Sequence, residues 1–251
     1  MTTHSSPIAV VTGGSRGLGR ATALALAQAA ADVIITYKSD EAAARAVVAE
    51  IEARGRRGAA LALDTTDLSS FGAFADALRG ELPSGTFDIL INNAGTALYA
   101  PLAELSESEY DDVFAVHVKG PLFLTQTLLP LIADGGKIIN ISSALTRTTL
   151  AASGGYAAAK SAIETLTKYM ALEFGDRGIT ANVVAPGAVP TDFGDGHLRN
   201  SEEIQAMVVG NTALGRLATA DDVGQAIAAL TLASGGWITG QRIEASGGLR
   251  L

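Results

Sequence analysis

Cysteine is absent from the 251 residues, which excludes thiolate catalysis, iron–sulfur clusters, Cys-ligated zinc and any disulfide-built secreted scaffold. Histidine is scarce too, with three residues, so no resident metal is expected. Basic side chains are few: 18 Lys and Arg against 26 Asp and Glu leave a net charge of −8. That balance lacks the basic face needed to release phosphate counterions or to hold an anionic membrane, so neither nucleic acid nor membrane is expected as a partner. No apolar run reaches the roughly 18 residues of a membrane helix. Residues 1–7 also lack the basic and apolar regions of a signal peptide, and a cytoplasmic protein is the expectation.

What the chain has in quantity is glycine, 28 residues, within a composition that is 48% hydrophobic. A chain of this length buries roughly three quarters of its unfolded surface and needs no metal or crosslink to hold a core. Short β-branched runs at 8–12, 33–37, 59–64, 87–92, 137–142, 180–185 and 242–245 are separated by segments of helical period. Ile89-Leu90-Ile91 and Ile138-Ile139 read as strands buried on both faces. Helices are expected to begin near Leu18, Glu41, Leu68, Ser106, Ser153 and Ala220, with Ser106-Glu107-Ser108-Glu109 as a capping box. Residues 106–132 are too long for one straight helix; Gly120-Pro121 should kink it and Pro130 should stop it. With no repeat and no linker, residues 1–251 read as a single α/β domain, a doubly wound parallel sheet of about seven strands with helices on both faces. Residues 190–211 form its one polar, irregular insertion, read as a substrate lid with Gly194 and Gly196 as flexible points.

The run Thr12-Gly13-Gly14-Ser15-Arg16-Gly17-Leu18-Gly19 follows the first strand and opens the first helix, where backbone N–H groups and a helix N-terminus suit a pyrophosphate. A glycine cluster alone is as often a structural turn; the strand before and the helix after favour a nucleotide site. Asn92-Asn93-Ala94-Gly95 ends the fourth strand, Tyr156-Ala157-Ala158-Ala159-Lys160 opens a helix, and Pro186-Gly187 with Thr191 follows the sixth strand. In this order the motifs resemble the short-chain dehydrogenase/reductase family, with carbonyl reductases and 3-oxoacyl-[acyl-carrier-protein] reductases as its nearest types. The resemblance spans most of the chain and implies a Rossmann-type fold and hydride exchange between a nicotinamide and a carbonyl or alcohol.

Tyr156 and Lys160 lie four apart, one turn along the same helix face. A tyrosine titrates near 10 in isolation, and a neighbouring ammonium favours its phenolate. By resemblance, Tyr156 is the acid/base, Lys160 also holds the nicotinamide ribose, and Ser143, thirteen residues before Tyr156, donates to the developing oxyanion. Ser142 is read as a capping or packing residue. The family's usual Asn is replaced by His117, an imidazole that titrates near neutral pH and is expected to substitute in the proton relay. The competing reading is a catalytically impaired NADP-binding regulator.

For the cofactor, Asp32 precedes its strand and should lie at the wrong sheet edge, whereas Tyr37 occupies the place of the ribose-binding acid. Lys38, Ser39 and Arg16 beside it favour a 2′-phosphate, hence NADP(H). The resemblance assigns Asp64 and Thr65 to the adenine, Asn92, Ala94 and Gly95 to the adenosine ribose, and Pro186, Gly187, Val189 and Thr191 to the nicotinamide side; Gly13, Ser15, Gly17, Leu18 and Gly19 form the phosphate turn. The substrate is expected between residues 145–153 and the lid, where Leu145, Leu150 and Phe193 suit an apolar carbonyl compound. An acidic acyl carrier protein is the alternative; only Arg177 and Lys137 stand in places suited to it, with Asp134 near the entrance. Leu122, Phe123, Leu124, Leu128, Leu129 and the apolar face of residues 163–174 suggest subunit contacts. The resemblance implies a homo-oligomer, tetramer or dimer, completed by residues 237–251.

Overall fold

The computed structural model describes residues 6–232 and 236–251; the opening segment read above for a signal peptide lies outside them over residues 1–5. Its strands are β1 (Ile8–Val11), β2 (Asp32–Tyr37), β3 (Gly58–Ala62), β4 (Phe87–Asn92), β5 (Ile132–Ile141), β6 (Thr180–Pro186) and β7 (Arg242–Ala245). They form one seven-stranded sheet in the order β3-β2-β1-β4-β5-β6-β7, and every pairing is parallel. The helices are α1 (Gly17–Gln28), α2 (Glu41–Glu52), α3 (Phe71–Gly80), α4 (Glu107–Phe114), α5 (Gly120–Leu128), α6 (Gly154–Glu173), α7 (Glu202–Gly210) and α8 (Ala220–Leu232).

Strand alternation divides the core in two. Val10, Leu90 and Ile138 join the helices α3, α5 and α6 with Phe74, Leu78, Leu124, Leu128 and Met170. Their chain neighbours Val11, Ile89, Ile91 and Ile139 face the other way, onto Leu26 of α1, Val47 and Ile51 of α2, and Val223 and Ile227 of α8. This is why the strand sequences read as continuous apolar runs.

Several expectations are corrected. The helix expected from Leu68 opens as a 3₁₀ turn, Leu68–Ser70, and becomes α-helical only at Phe71. The long segment after Ser106 does start with the capping box, Glu109 N–H donating to Ser106 Oγ and Ser106 N–H to Glu109 Oε2. It then widens into a π-turn over Ala115–Lys119 before α5. Pro121 lacks an N–H and sits at the head of α5, where the widened turn spares it a donor's role. Strand β5 begins at Ile132, ahead of the expected position, and a register shift against β4 absorbs the polar residues Asp134, Gly135 and Gly136. The lid segment contains a helix, α7, capped by Ser201. None of its residues is buried; its apolar residues Ile204, Met207 and Val208 line the open cleft instead of packing into the core. Leu124 and Leu128, read as a subunit face, belong fully to the core.

Candidate active site

The chain reverses direction across the sheet at β1, whose neighbours are β2 and β4, and the C-terminal edge beside such a switch point is where doubly wound folds bind ligands. Thr12 and Asn93 lace this edge together. Thr12 Oγ1 accepts from the N–H groups of Asn93 and Ala94 at 2.9 and 3.0 Å, and Asn93 Nδ2 donates to the Thr12 carbonyl at 2.8 Å. The glycine turn is held so tightly that a Cβ on Gly19 would lie 2.1 Å from the Gly13 carbonyl oxygen. Gly17 is different: its φ of +54° suits glycine, and the nearest atoms to an added Cβ belong to Thr191 across the cleft, 3.9 Å away. No acid lies in the first turn of α1, and Arg16 at its N-cap makes no side-chain capping bond. The first N–H groups of the helix are therefore open to an anion.

A cleft of about 1160 Å³ runs from this turn to the lid. Gly13, Ser15, Arg16, Gly17, Leu18 and Gly19 line one end with Tyr37, Lys38, Ser39, Asp64 and Thr65. Ala94 and Gly95 line its floor, Ser143, Tyr156 and Lys160 one wall, and Pro186, Gly187, Val189 and Thr191 the facing side. Asn92 departs from the expected set: it is buried beneath the cleft and donates to Thr125 Oγ1 and Asn140 Oδ1 at 3.0 and 2.8 Å. Its neighbour Asn93 lines the cleft instead. Side chains alternate along an extended segment, and the doubled asparagine hid which one faces the ligand edge. Asp32 lies at the opposite edge as expected, accepting from the Arg57 N–H at 3.0 Å.

Lys38 is ion-paired with Asp64 at 2.8 Å. Partial burial works to raise the Asp64 pKa, but bonds from Lys38 and Thr66 prevail and hold it at about 2. Arg16 has no side-chain partner among the described residues and is exposed, which makes it the freer cation at this end.

On α6, Tyr156 and Lys160 are both buried and both face the cleft. Lys160 Nζ donates to the Ile141 carbonyl at 2.8 Å and lies 5.6 Å from the centre of the Tyr156 ring. Burial pushes the Lys160 pKa down to about 7. Burial also drives the Tyr156 pKa upward; the Ser143 hydroxyl acts against that rise and Tyr99 adds to it. The expected fall in the tyrosine pKa beside an ammonium is thus overridden by burial. Ser143 opens a 3₁₀ turn, Ala144–Thr146, its Oγ accepting from the Leu145 N–H at 3.2 Å.

His117 stands in the π-turn with its ring edge-on to Tyr156, centroids 5.2 Å apart at 88°. Its Nε2 bonds the Thr96 carbonyl at 2.7 Å, and its Nδ1 is buried without a partner. Burial, with the Lys160 charge adding, holds the imidazole well below its ordinary pKa despite the Thr96 bond. Burial thus disfavours the protonated ring, against the expectation of titration near neutral pH. Gly95 makes room for it: a Cβ there would sit 2.6 Å from Cε1.

Behind Ser143 lies an ionic network invisible to motif reading, because its members come from four separate segments. Ser142 donates to Glu164 Oε1 at 2.6 Å, as does Thr146 at 2.8 Å. Arg242 bonds Glu164 and Glu244, each at 2.9 Å, and its Nη2 reaches the Ser143 carbonyl. Arg147 pairs with Glu244 at 2.6 Å and holds the carbonyls of Leu249 and Arg250. The same C-terminal residues bridge to the end of the lid, through an antiparallel Thr212–Leu249 bridge and Arg250 N–H to the Asn211 carbonyl at 2.8 Å.

The substrate end is lined by Leu145, Leu150 and Phe193 as expected, and also by Tyr99, His197, Met207, Leu249 and Arg250. Arg177 is a correction: it bonds Asp134 at 2.8 Å and the carbonyls of Leu129 and Ile132, stapling the start of β5 at the far edge of the sheet. Neither residue stands at the cleft mouth. Among the described residues, no cluster of His, Asp or Glu is arranged to hold a metal, and no helix is long and apolar enough to cross a membrane.

The class this fold and cleft define is the Rossmann-type oxidoreductase. Residues 13–250 match a family model described as enoyl-(acyl carrier protein) reductase. The hydroxynaphthalene reductase-like protein Arp2 of Metarhizium brunneum is 34% identical over 253 residues, covering 96% of this chain and 94% of that one. Among solved structures, a blue fluorescent protein from a metagenomic library, in complex with NADPH, aligns with a TM-score of 0.88 and 36% identity over 96% of this chain and 97% of that one. The promiscuous reductase LugOII, which catalyses keto-reduction at C1 during lugdunomycin biosynthesis, aligns with a TM-score of 0.90 and 36% identity over 98% of both chains. The chain belongs to the short-chain dehydrogenase/reductase family, a family of oxidoreductases.

Proposed function

We propose that the protein is an NADPH-dependent reductase of a ketone, reversible as an alcohol dehydrogenase, with Tyr156 as acid/base. The observation that carries this reading is the placing of Tyr156, Lys160 and Ser143 on one wall of a cleft that begins at an open helix N-terminus. The cleft suits the cofactor. Gly17 leaves backbone room opposite Thr191, the first turn of α1 offers uncompensated N–H groups to a pyrophosphate, and Tyr37 stands where an acid would select NAD, with Arg16 lining the same end of the cleft. Arg16, with Lys38 and Ser39, would hold the 2′-phosphate; Ala94 and Gly95 would face the ribose, and Thr191 the carboxamide or a phosphate. The nicotinamide, when bound, supplies the hydride. Ser143 Oγ and Tyr156 Oη orient the carbonyl oxygen, and Tyr156 delivers the proton to it as the alcohol forms. Lys160, buried and easily neutralised, moves charge at the base of the phenol.

LugOII's keto-reduction and the NADPH complex of the metagenomic protein support this reading by likeness. Arg177, the basic residue expected to meet an acyl carrier protein, is engaged with Asp134, which favours a free ketone over that partner. The exposed Phe123, Tyr169, Leu172 and Trp237 favour a homo-oligomer.

The test is reduced-nicotinamide consumption with simple ketones, paired with Tyr156→Phe. The variant should lose about 10²–10⁴-fold in kcat while still binding NADPH by fluorescence. Near-parental turnover would reject Tyr156 as the acid, and NADPH binding without turnover in the parent would restore the impaired-regulator reading.

A further inference from the structure

Four large apolar side chains, Tyr99, Leu150, Phe193 and Met207, remain 41–47% exposed, and all four face the substrate end of the cleft. Apolar area held open to water in a concave site is the signature of a ligand surface. Two of the four are aromatic and both bear on Tyr156. Phe193 lies edge-on to its ring, centroids 6.0 Å apart at 61°, and the Tyr99 phenol is near enough to raise its pKa. The next lid residue, Gly194, sits at φ +62° directly against Tyr99: a Cβ there would come within 2.8 Å of Cε2. The His197 ring tilts against the same face region at 5.1 Å. The lid therefore meets the segment after β4 through rings and a bare backbone, and among the described residues no hydrogen bond of Tyr99 ties the two together.

The polar groups at this end argue against an anionic substrate. Apart from Lys160, Arg250 is the basic side chain the described cleft residues offer there, and it donates to the Thr149 carbonyl at 3.1 Å. Arg199 is paired with Asp192, and Asp195 stands beside it on the lid.

Resting on the ketone-reductase reading, we infer that Tyr99 and Phe193 form an aromatic clasp selecting an uncharged, flat, fused-ring aryl ketone. An aromatic ring presented to Tyr156 would meet edges and faces of both side chains, whereas an open-chain ketone of equal carbon number would leave them wet. Both rings are specificity-determining residues, and Tyr156 remains the acid.

The experiment compares kcat/KM for 1-tetralone and 2-octanone with NADPH, in the parent, Tyr99→Ala and Phe193→Ala. The parent should prefer the tetralone by about tenfold or more, and each variant should cut that ratio by about tenfold, chiefly through KM for the tetralone. A parental preference for octanone, or a ratio unmoved in both variants, would overturn the clasp while leaving the reductase reading intact. Should neither ketone turn over, the reductase reading fails, and calorimetric titration of the NADPH-loaded protein with 1-naphthol still decides the clasp. Binding that is lost in Phe193→Ala supports it, and no binding in the parent overturns it.

Discussion

At position 117 an imidazole fills a space that Gly95 keeps open, bonded on one side to the Thr96 carbonyl and bare on the other. Burial, with the Lys160 charge adding, lowers its pKa well below the ordinary value, which disfavours a proton on the ring. His117→Asn should therefore leave the shape of the kcat–pH profile unchanged, and any loss should appear in the amplitude alone; a vanished inflection would show that the ring does titrate. Arg16 presents the opposite case, an exposed cation with no partner. Arg16→Ala removes a charge-assisted contact to a 2′-phosphate, and the Kd for NADPH should rise about 10–100-fold with NADH nearly unaffected, read by fluorescence titration. Lys38→Ala should cost less, since Asp64 already competes for its ammonium. The residue types and spacing of the cleft were legible in the sequence because motifs report local backbone needs. The choice of Asn93 over Asn92, and the partners of Lys38 and Arg177, were not, since those depend on contacts between segments 26 to 82 residues apart.

Among the elements, the strands were readable wherever both faces were buried, and α4 wherever its capping box was written locally. Legibility failed at α7, which has no buried face, and at the early start of β5, where glycines and an aspartate mask an extended backbone. It failed also at the turn behind Ser143, whose order comes from α6 and β7 together. Arg242 is the hinge of that order, with its side chain 23% exposed between carboxylates 17% and 18% exposed. Arg242→Ala leaves the partly desolvated Glu164 without its ion-pair partner, while Glu244 keeps Arg147, and should cost about 1–3 kcal/mol in urea unfolding. It should also lower kcat more than Arg20→Ala, whose loss of the Glu50 pair is remote from the turn. Equal kcat in the two variants would show that the network holds the fold without positioning Ser143.

For the whole molecule, two sets of ionisable groups shape stability in opposite directions. Asp64 and Glu244 are held at about 2, Glu244 chiefly by its bond to Arg147. What they contribute is present above the ordinary carboxylate range and is lost as pH falls toward 2. Lys160 works the other way: its pKa, lowered by burial to about 7 from 10.5, means that the unfolded chain binds the proton more tightly. That penalty is full below pH 7 and fades as pH rises toward 10.5. Lys160→Met should thus raise Tm at pH 7 by about 2–8 °C while abolishing turnover, and the gap should narrow by pH 10. A variant less stable than the parent at pH 7 would mean that the bond to the Ile141 carbonyl outweighs burial. Arg147 grips the carbonyls of residues 249 and 250, and residues 248–250 are stitched to residues 211–213, so this last stretch is leashed to the segment that lines the substrate end of the cleft. A purification handle fused after Leu251 would tug on that leash and report on its own strain.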